Sequence, residues 1–209
     1  MEASTGRTEK PSRITMTPAA RRALAAAERL FYERGIHAVG VDLIAAEAGV
    51  TKKTLYDRFG SKEQIVVEYL AHRDERWRAF LAERLDAAEP APAERLLTVF
   101  DASRAWSSEN SPKGCSMVNA HAEISDPAHP AHAIITGQKQ WMLALFTRLA
   151  EDIAPDGAER LARSLMLLHE GALVAHGLNV FPGPFTHARE EARALLATAG
   201  RGAAPEAGA

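Results

Sequence analysis

The sequence has a single cysteine, Cys115, in 209 residues, which excludes an internal disulfide and any cysteine-built zinc knuckle. Alternating runs of Val, Ile, Thr and aromatic residues are missing, so nothing signals strands. No long apolar run is present either. The longest stretch without Asp, Glu, Lys or Arg, Gly171 to Ala188, holds two prolines, three glycines and two histidines, which excludes a membrane span. The first residues carry Glu2, Arg7, Glu9 and Lys10 and no apolar segment, so no secretory signal is expected and the cytoplasm is the expected location. A nucleophile elbow, a glycine-rich phosphate loop and an HExxH pair are all absent, which argues against the common hydrolase, nucleotide-binding and zinc-protease classes. No enzyme activity, cofactor or metal is expected.

What is present suits an ordinary folded chain. Hydrophobic residues make up 46% and charged residues 25%, enough apolar material for a core. The net charge of −2 conceals an asymmetry. Residues 1–62 hold 11 Lys and Arg against 7 Asp and Glu, a net +4, and residues 63–209 hold 14 against 20, a net −6. Such a division suggests a polyanion-binding head on a body with another task. Lysine occurs six times, yet Lys52, Lys53 and Lys62 fall within eleven residues.

The periodicity predicts an all-α fold. A flexible basic arm is expected over 1–16, a helical head over 17–60, a larger helical body over 61–199, and a low-complexity tail over 200–209. Thr17-Pro18 starts a helix that runs to Arg34 and turns Leu24, Ala27, Leu30 and Phe31 inward. Short helices follow over 41–48 and 52–59, stopped by Gly49 and Gly60. Ser61-Lys62-Glu63-Gln64 reads as a capping box opening a helix to about Ala88. Further helices are expected over 93–106, 115–124, from about Ile134 to Leu149, and over 158–176 and 186–198.

Two short helices around a glycine turn form the layout of a helix-turn-helix reader. Ala45 permits close crossing, Gly49 the turn, and Val50 and Leu55 fill the angle. Lys52 and Lys53 open the second helix, where lysine can donate to guanine O6 and N7 and amides can face phosphate. The segment LFYERGIHAVGVDLIAAEAGVTKKTLYDRFGSKEQI resembles the tetracycline-repressor (TetR/AcrR) family of bacterial transcription regulators, over about Arg21 to Tyr69, with TLY-x-x-F-x-SKE as its most specific string. The resemblance implies a homodimer, a palindromic double-stranded operator and a small-molecule inducer. It makes Lys52, Lys53 and Asp57 base-edge readers, and Thr51, Thr54, Tyr56, Arg58 and Lys62 phosphate contacts. Asp57 either accepts from cytosine N4 or points away from the backbone. Gly40 departs from the threonine that many relatives place there, and is left out of the binding set.

The body carries no motif of comparable strength. Trp106, Asn119, Glu123, Trp141 and His169 mix apolar walls with polar groups, the makeup of a small-molecule pocket. Each aromatic among them has core packing as its alternative. His121 with Glu123 and His129 with His132 have metal-like spacing, but no thiol cluster supports them. Cys115 opens a helix after Gly114, either as a thiol sensor or as a small packed residue. Leu161, Leu165, Leu168 and Ala172, with Ala192, Leu195 and Ala199, are expected to form stripes that a second copy would close into a four-helix bundle. The reading is a ligand-responsive transcriptional regulator, with repression favoured. The alternatives are an activator or architectural DNA binder without inducer, and a small helical enzyme.

Overall fold

The computed structural model describes residues 11–202. Arg7 and Lys10 of the expected arm and the end of the expected tail lie outside the described residues. Among the described residues nine α-helices occur and no strand. They are α1 (Pro18–Arg34), α2 (Val41–Ala48), α3 (Lys52–Phe59), α4 (Lys62–Asp86), α5 (Pro92–Asn110), α6 (Ser116–Glu123), α7 (Ala131–Glu151), α8 (Ala158–Leu178) and α9 (Pro184–Gly202), with a 3-10 turn at Pro155–Gly157 before α8. The chain divides into two compact units. One runs to Asp74 and includes Ser116–Gln138; the other comprises Glu75–Cys115 and the chain from Lys139 onward.

In the first unit α1 packs on α2 and α3, and α2 packs on α3. Ala20, Ala27, Leu30 and Ile44 are fully buried, as are Val67 and Leu70 of α4. Each large side chain so buried stabilises the unit by about 1.5–3 kcal/mol. Thr17 caps α1 by accepting the Ala20 N–H at 3.2 Å. Gly49 ends α2 at φ 63°, ψ 38°, and its N–H returns to the carbonyls of Ala45 and Ala46. That left-handed geometry is cheap only for glycine and sets the sharp turn into α3.

Two expectations need correction here. The capping box is half formed: Ser61 Oγ accepts the Gln64 N–H at 3.1 Å. The Gln64 amide goes instead to the Ser12 carbonyl at 2.8 Å and to Glu68 at 3.0 Å. Arg13, expected on a free arm, is held by the same acid. Its Nε donates to Glu68 Oε2 at 2.7 Å, and the Ile14 N–H donates to Oε1 at 2.8 Å. Glu68 is completely buried, so its charge needs these donors, and they draw residues 12–14 onto α4.

In the second unit α9 packs on α5 and α8. The core joins Leu96, Leu97, Phe100, Met142, Phe146 and Leu165. Trp106 sits 5.7 Å from Trp77 and 5.2 Å from Phe80, ring to ring and edge-on. Arg189 ties α9 to Asp101 at 2.8 Å, and Arg193 ties it to Glu94 at 3.0 Å. α5 runs four residues past the expected Trp106, to Asn110, and the Ser111 N–H closes it on the Ser107 carbonyl at 3.1 Å. α9 begins at Pro184, whose missing N–H costs nothing in a first turn.

The expected stripes are mostly internal. Leu161, Leu165, Ala172 and Ala192 are buried within this chain's own core, and Leu168 and Ala199 are half-buried against it. The outward apolar residues of α8 are Leu167, Val174 and Leu178, which are 75%, 47% and 72% exposed. Spacings of seven and four keep these three on one helical face.

Candidate nucleic-acid interface and helical body

Thr51 caps α3 in extended geometry and accepts the Thr54 N–H at 3.1 Å, with the two hydroxyls 2.9 Å apart. Leu55 and Phe59 turn into the core. The remaining surface of α3 follows by helical geometry: Lys52, Lys53, Tyr56, Asp57 and Arg58 are exposed, and Thr54 is half-buried. Residues 52, 53, 56 and 57 share one face. Lys62 opens α4 instead, bordering a hollow of about 210 Å³ with His37, Glu63 and His129.

Both candidate base-reading lysines have an acid partner. Lys53 Nζ lies 2.8 Å from Asp57 Oδ2 one turn on, and Lys52 Nζ lies 3.0 Å from Asp42 Oδ2 of α2. The Asp42 hydrogen bond and charge hold the Lys52 ammonium above its ordinary range. Sequence reading missed Asp42, because the contact spans ten residues and the helix crossing.

The body residues separate between the units. Asn119 and Glu123 belong to the first, Trp106, Trp141 and His169 to the second. Glu123 holds the turn before α2: its carboxylate accepts the His37 N–H at 2.9 Å, and its carbonyl lies 2.6 Å from His37 Nε2. A Cβ on Gly35 would come within 3.0 Å of the same carboxylate. Asn119 is exposed on α6. Trp106 is buried in the aromatic cluster, and Trp141 lies under the Arg78 guanidinium at 4.3 Å. His169 is 3% exposed, with Phe100 and Phe146 beside it and Ser103 Oγ 2.8 Å from Nε2.

Sequence reading also missed a polar line inside the second unit. Ser103 and Ser107 lie one turn apart on α5, and His169 and His176 lie two turns apart on α8. Ser107 Oγ and His176 Nε2 are buried without a hydrogen-bond partner, and His169 Nδ1 faces Glu170 Oε1 across 3.5 Å. Serine in an alanine-rich helix gives little signal of such placement. The spaced histidines have turned to local bonding: His129 Nδ1 accepts the Ala131 N–H at 3.1 Å, and His132 Nε2 lies 2.9 Å from the Asp126 carbonyl. Among the described residues no helix is long and apolar enough to cross a membrane.

A capped helix presenting cations outward beyond a glycine turn, on an otherwise helical chain, defines a helix-turn-helix transcriptional regulator. The family described as bacterial regulatory proteins, tetR family, matches residues 23–69. The uncharacterized HTH-type transcriptional regulator Rv1255c of Mycobacterium tuberculosis is 31% identical over 186 residues, 86% of this chain and 82% of that protein. SCO4454, a TetR-family transcriptional regulator from Streptomyces coelicolor, is 32% identical with a TM-score of 0.80, covering 87% of this chain and 96% of that one. The transcriptional activator FasR of Mycolicibacterium smegmatis is 47% identical over 47 residues, 22% of each chain. The chain belongs to the tetR family of bacterial transcriptional regulators, DNA-binding proteins and not enzymes.

Proposed function

We propose that this regulator is a ligand-responsive repressor, binding a palindromic operator as a homodimer in the cytoplasm and released by a small molecule held in its body. The observation that carries the reading is the outward row Lys52, Lys53, Tyr56 and Asp57 on a capped α3. Lysines at the start of such a helix suit guanine edges, and Thr51, Thr54, Tyr56, Arg58 and Lys62 suit phosphates. The resemblance to FasR covers only the head, so it bears on the grip and not on the sign of control.

Two further observations support the other parts. The buried, unpartnered Ser107 Oγ and His176 Nε2 are groups that a polar ligand would satisfy, with Trp106 and Trp141 as apolar walls. The outward Leu167, Val174 and Leu178 give α8 a face for a symmetry mate. Release then requires the ligand to favour the state whose α3 spacing misfits the duplex. A coupling of about 1–3 kcal/mol corresponds to 5–150-fold release.

The test is a duplex selected from a random library and titrated by gel shift. Lys52→Ala and Lys53→Ala are expected to cost about 1–3 kcal/mol each and to relax base preference. Asp42→Asn is expected to tighten binding, because Lys52 no longer has to leave a carboxylate. Unchanged affinity in both lysine variants refutes the assignment of α3.

A further inference from the structure

Glu68, in the second turn of α4, is completely buried, and both of its carboxylate oxygens are occupied. Oε2 accepts from Arg13 Nε at 2.7 Å, and Oε1 accepts the Ile14 N–H at 2.8 Å and the Gln64 amide at 3.0 Å. The same amide donates to the Ser12 carbonyl at 2.8 Å. The Thr17 N–H closes on the Thr15 carbonyl at 3.1 Å, and α1 begins at Pro18. All of these residues belong to the first unit. Replacing a buried ionic group by an apolar one of similar size is often neutral or stabilising, so packing of the head does not require an acid here. What the carboxylate adds is a fixed place for Ser12, Arg13 and Ile14.

That place lies at the end of α4 nearest α3. Gln64 is two residues past Lys62, and Lys62 follows α3 across Gly60 and Ser61 alone. Ahead of Ser12 the chain continues through Pro11, whose ring fixes φ. Arg7 and Lys10 stand five and two residues before Ser12. Their backbones therefore come no further than about 18 Å and 7 Å from that anchor. Residues 1–11 hold Arg7 and Lys10 against Glu2 and Glu9, a balance of zero among the side chains. A balanced segment gains little from the long-range field of a duplex. Its cations act by being brought against individual phosphates, and an anchor beside Lys62 supplies that.

We propose that Glu68 and Gln64 are positioning residues for DNA binding, holding residues 12–14 as a strap from which Arg7 and Lys10 reach duplex phosphates beside the half-site read by α3. The inference rests on the assignment of α3 and Lys62 in the function proposed above. Contacts of this kind carry no base information, so they add affinity for every sequence.

The experiment titrates the selected duplex and a scrambled one with the full chain and with a chain lacking residues 2–11. Each is measured with and without Gln64→Ala, over a range of salt concentrations. The deletion is expected to weaken both duplexes about tenfold at low salt and to reduce the salt slope by about 2, one for each cation. Gln64→Ala leaves Glu68 its Arg13 partner and leaves the backbone N–H that Ser61 caps. It is expected to lose about threefold in the full chain and nothing in the shortened one. Glu68→Gln should follow the same pattern, with thermal melting confirming that each variant is folded. Unchanged affinity and slope after the deletion would overturn the phosphate contacts. Equal losses from Gln64→Ala in both chains would make the strap structural only and overturn its positioning role. Where Lys52→Ala and Lys53→Ala weaken binding and the deletion does not, this inference falls and the assignment of α3 stands. Where the wild-type chain binds neither duplex, both fall.

Discussion

At Glu170 burial and pairing act in opposite directions. Burial raises its carboxyl, but the His169 hydrogen bond and the Lys139 charge pull it down to about 2, from an ordinary 4.5. A carboxylate with a lowered folded value contributes stability that is full above about 4.5 and is lost as pH falls toward 2. The melting temperature of wild type should therefore exceed that of Glu170→Gln at pH 7, with the gap closing between pH 4.5 and 2. A gap that stays constant through that window would refute the pairing. Glu68 shows the same economy of charge at another residue: its donors from Arg13, Ile14 and Gln64 tie the chain ahead of α1 to α4. Sequence spacing gave no sign of the pairings that carry the charge, since Lys139 lies 31 residues from Glu170 and Arg13 lies 55 from Glu68.

At the scale of an element, α8 shows how context sets the sign of a substitution. Alanine normally improves a helix interior by about 1 kcal/mol over glycine. At Gly137 of α7 a Cβ meets nothing within 4 Å, so Gly137→Ala is expected to stabilise by up to that amount. At Gly177 a Cβ would strike backbone atoms of Lys113 and Gly114 at 2.8 Å. Neither neighbour is the free end of a side chain, so the turn or the helix must shift. Gly177→Ala is expected to destabilise by about 1–3 kcal/mol, read as a fall in the urea midpoint. A rise at both glycines would show that the Gly114 turn yields freely.

For the whole molecule, the question is what covers Leu167, Val174 and Leu178. A folded monomer rarely leaves such residues in one line on a helix. Pairing α8 with its symmetry mate would remove them from water and bring two copies of α3 into one molecule, as a palindrome requires. The double variant Leu167→Glu, Leu178→Glu is expected to run as a monomer in size-exclusion light scattering. It should keep its helical circular dichroism and lose palindrome binding. A dimer that survives both charges would place the interface elsewhere.

The sequence by itself determined the helices of the head, because α1, α2 and α3 are defined by local signals: Thr17-Pro18, the left-handed Gly49, and Thr51 as a cap. It also determined which residues of α3 face out, since Leu55 and Phe59 leave the other side by helical periodicity alone. The ends of α5 and α9 were less legible, because Ser107–Asn110 and Pro184 admit both helix and loop. Only the tertiary structure decided the rest. It turned Leu161, Leu165 and Ala172 inward and Leu167 and Leu178 outward, since α8 meets α9 on the first face, and periodicity cannot say which apolar face a neighbour takes. It gave Glu123 to the His37 turn and Asp42 to Lys52. It also set Lys139 and Glu170 beside Cys115, because pairings across dozens of residues follow from how helices pack, and no local pattern encodes that.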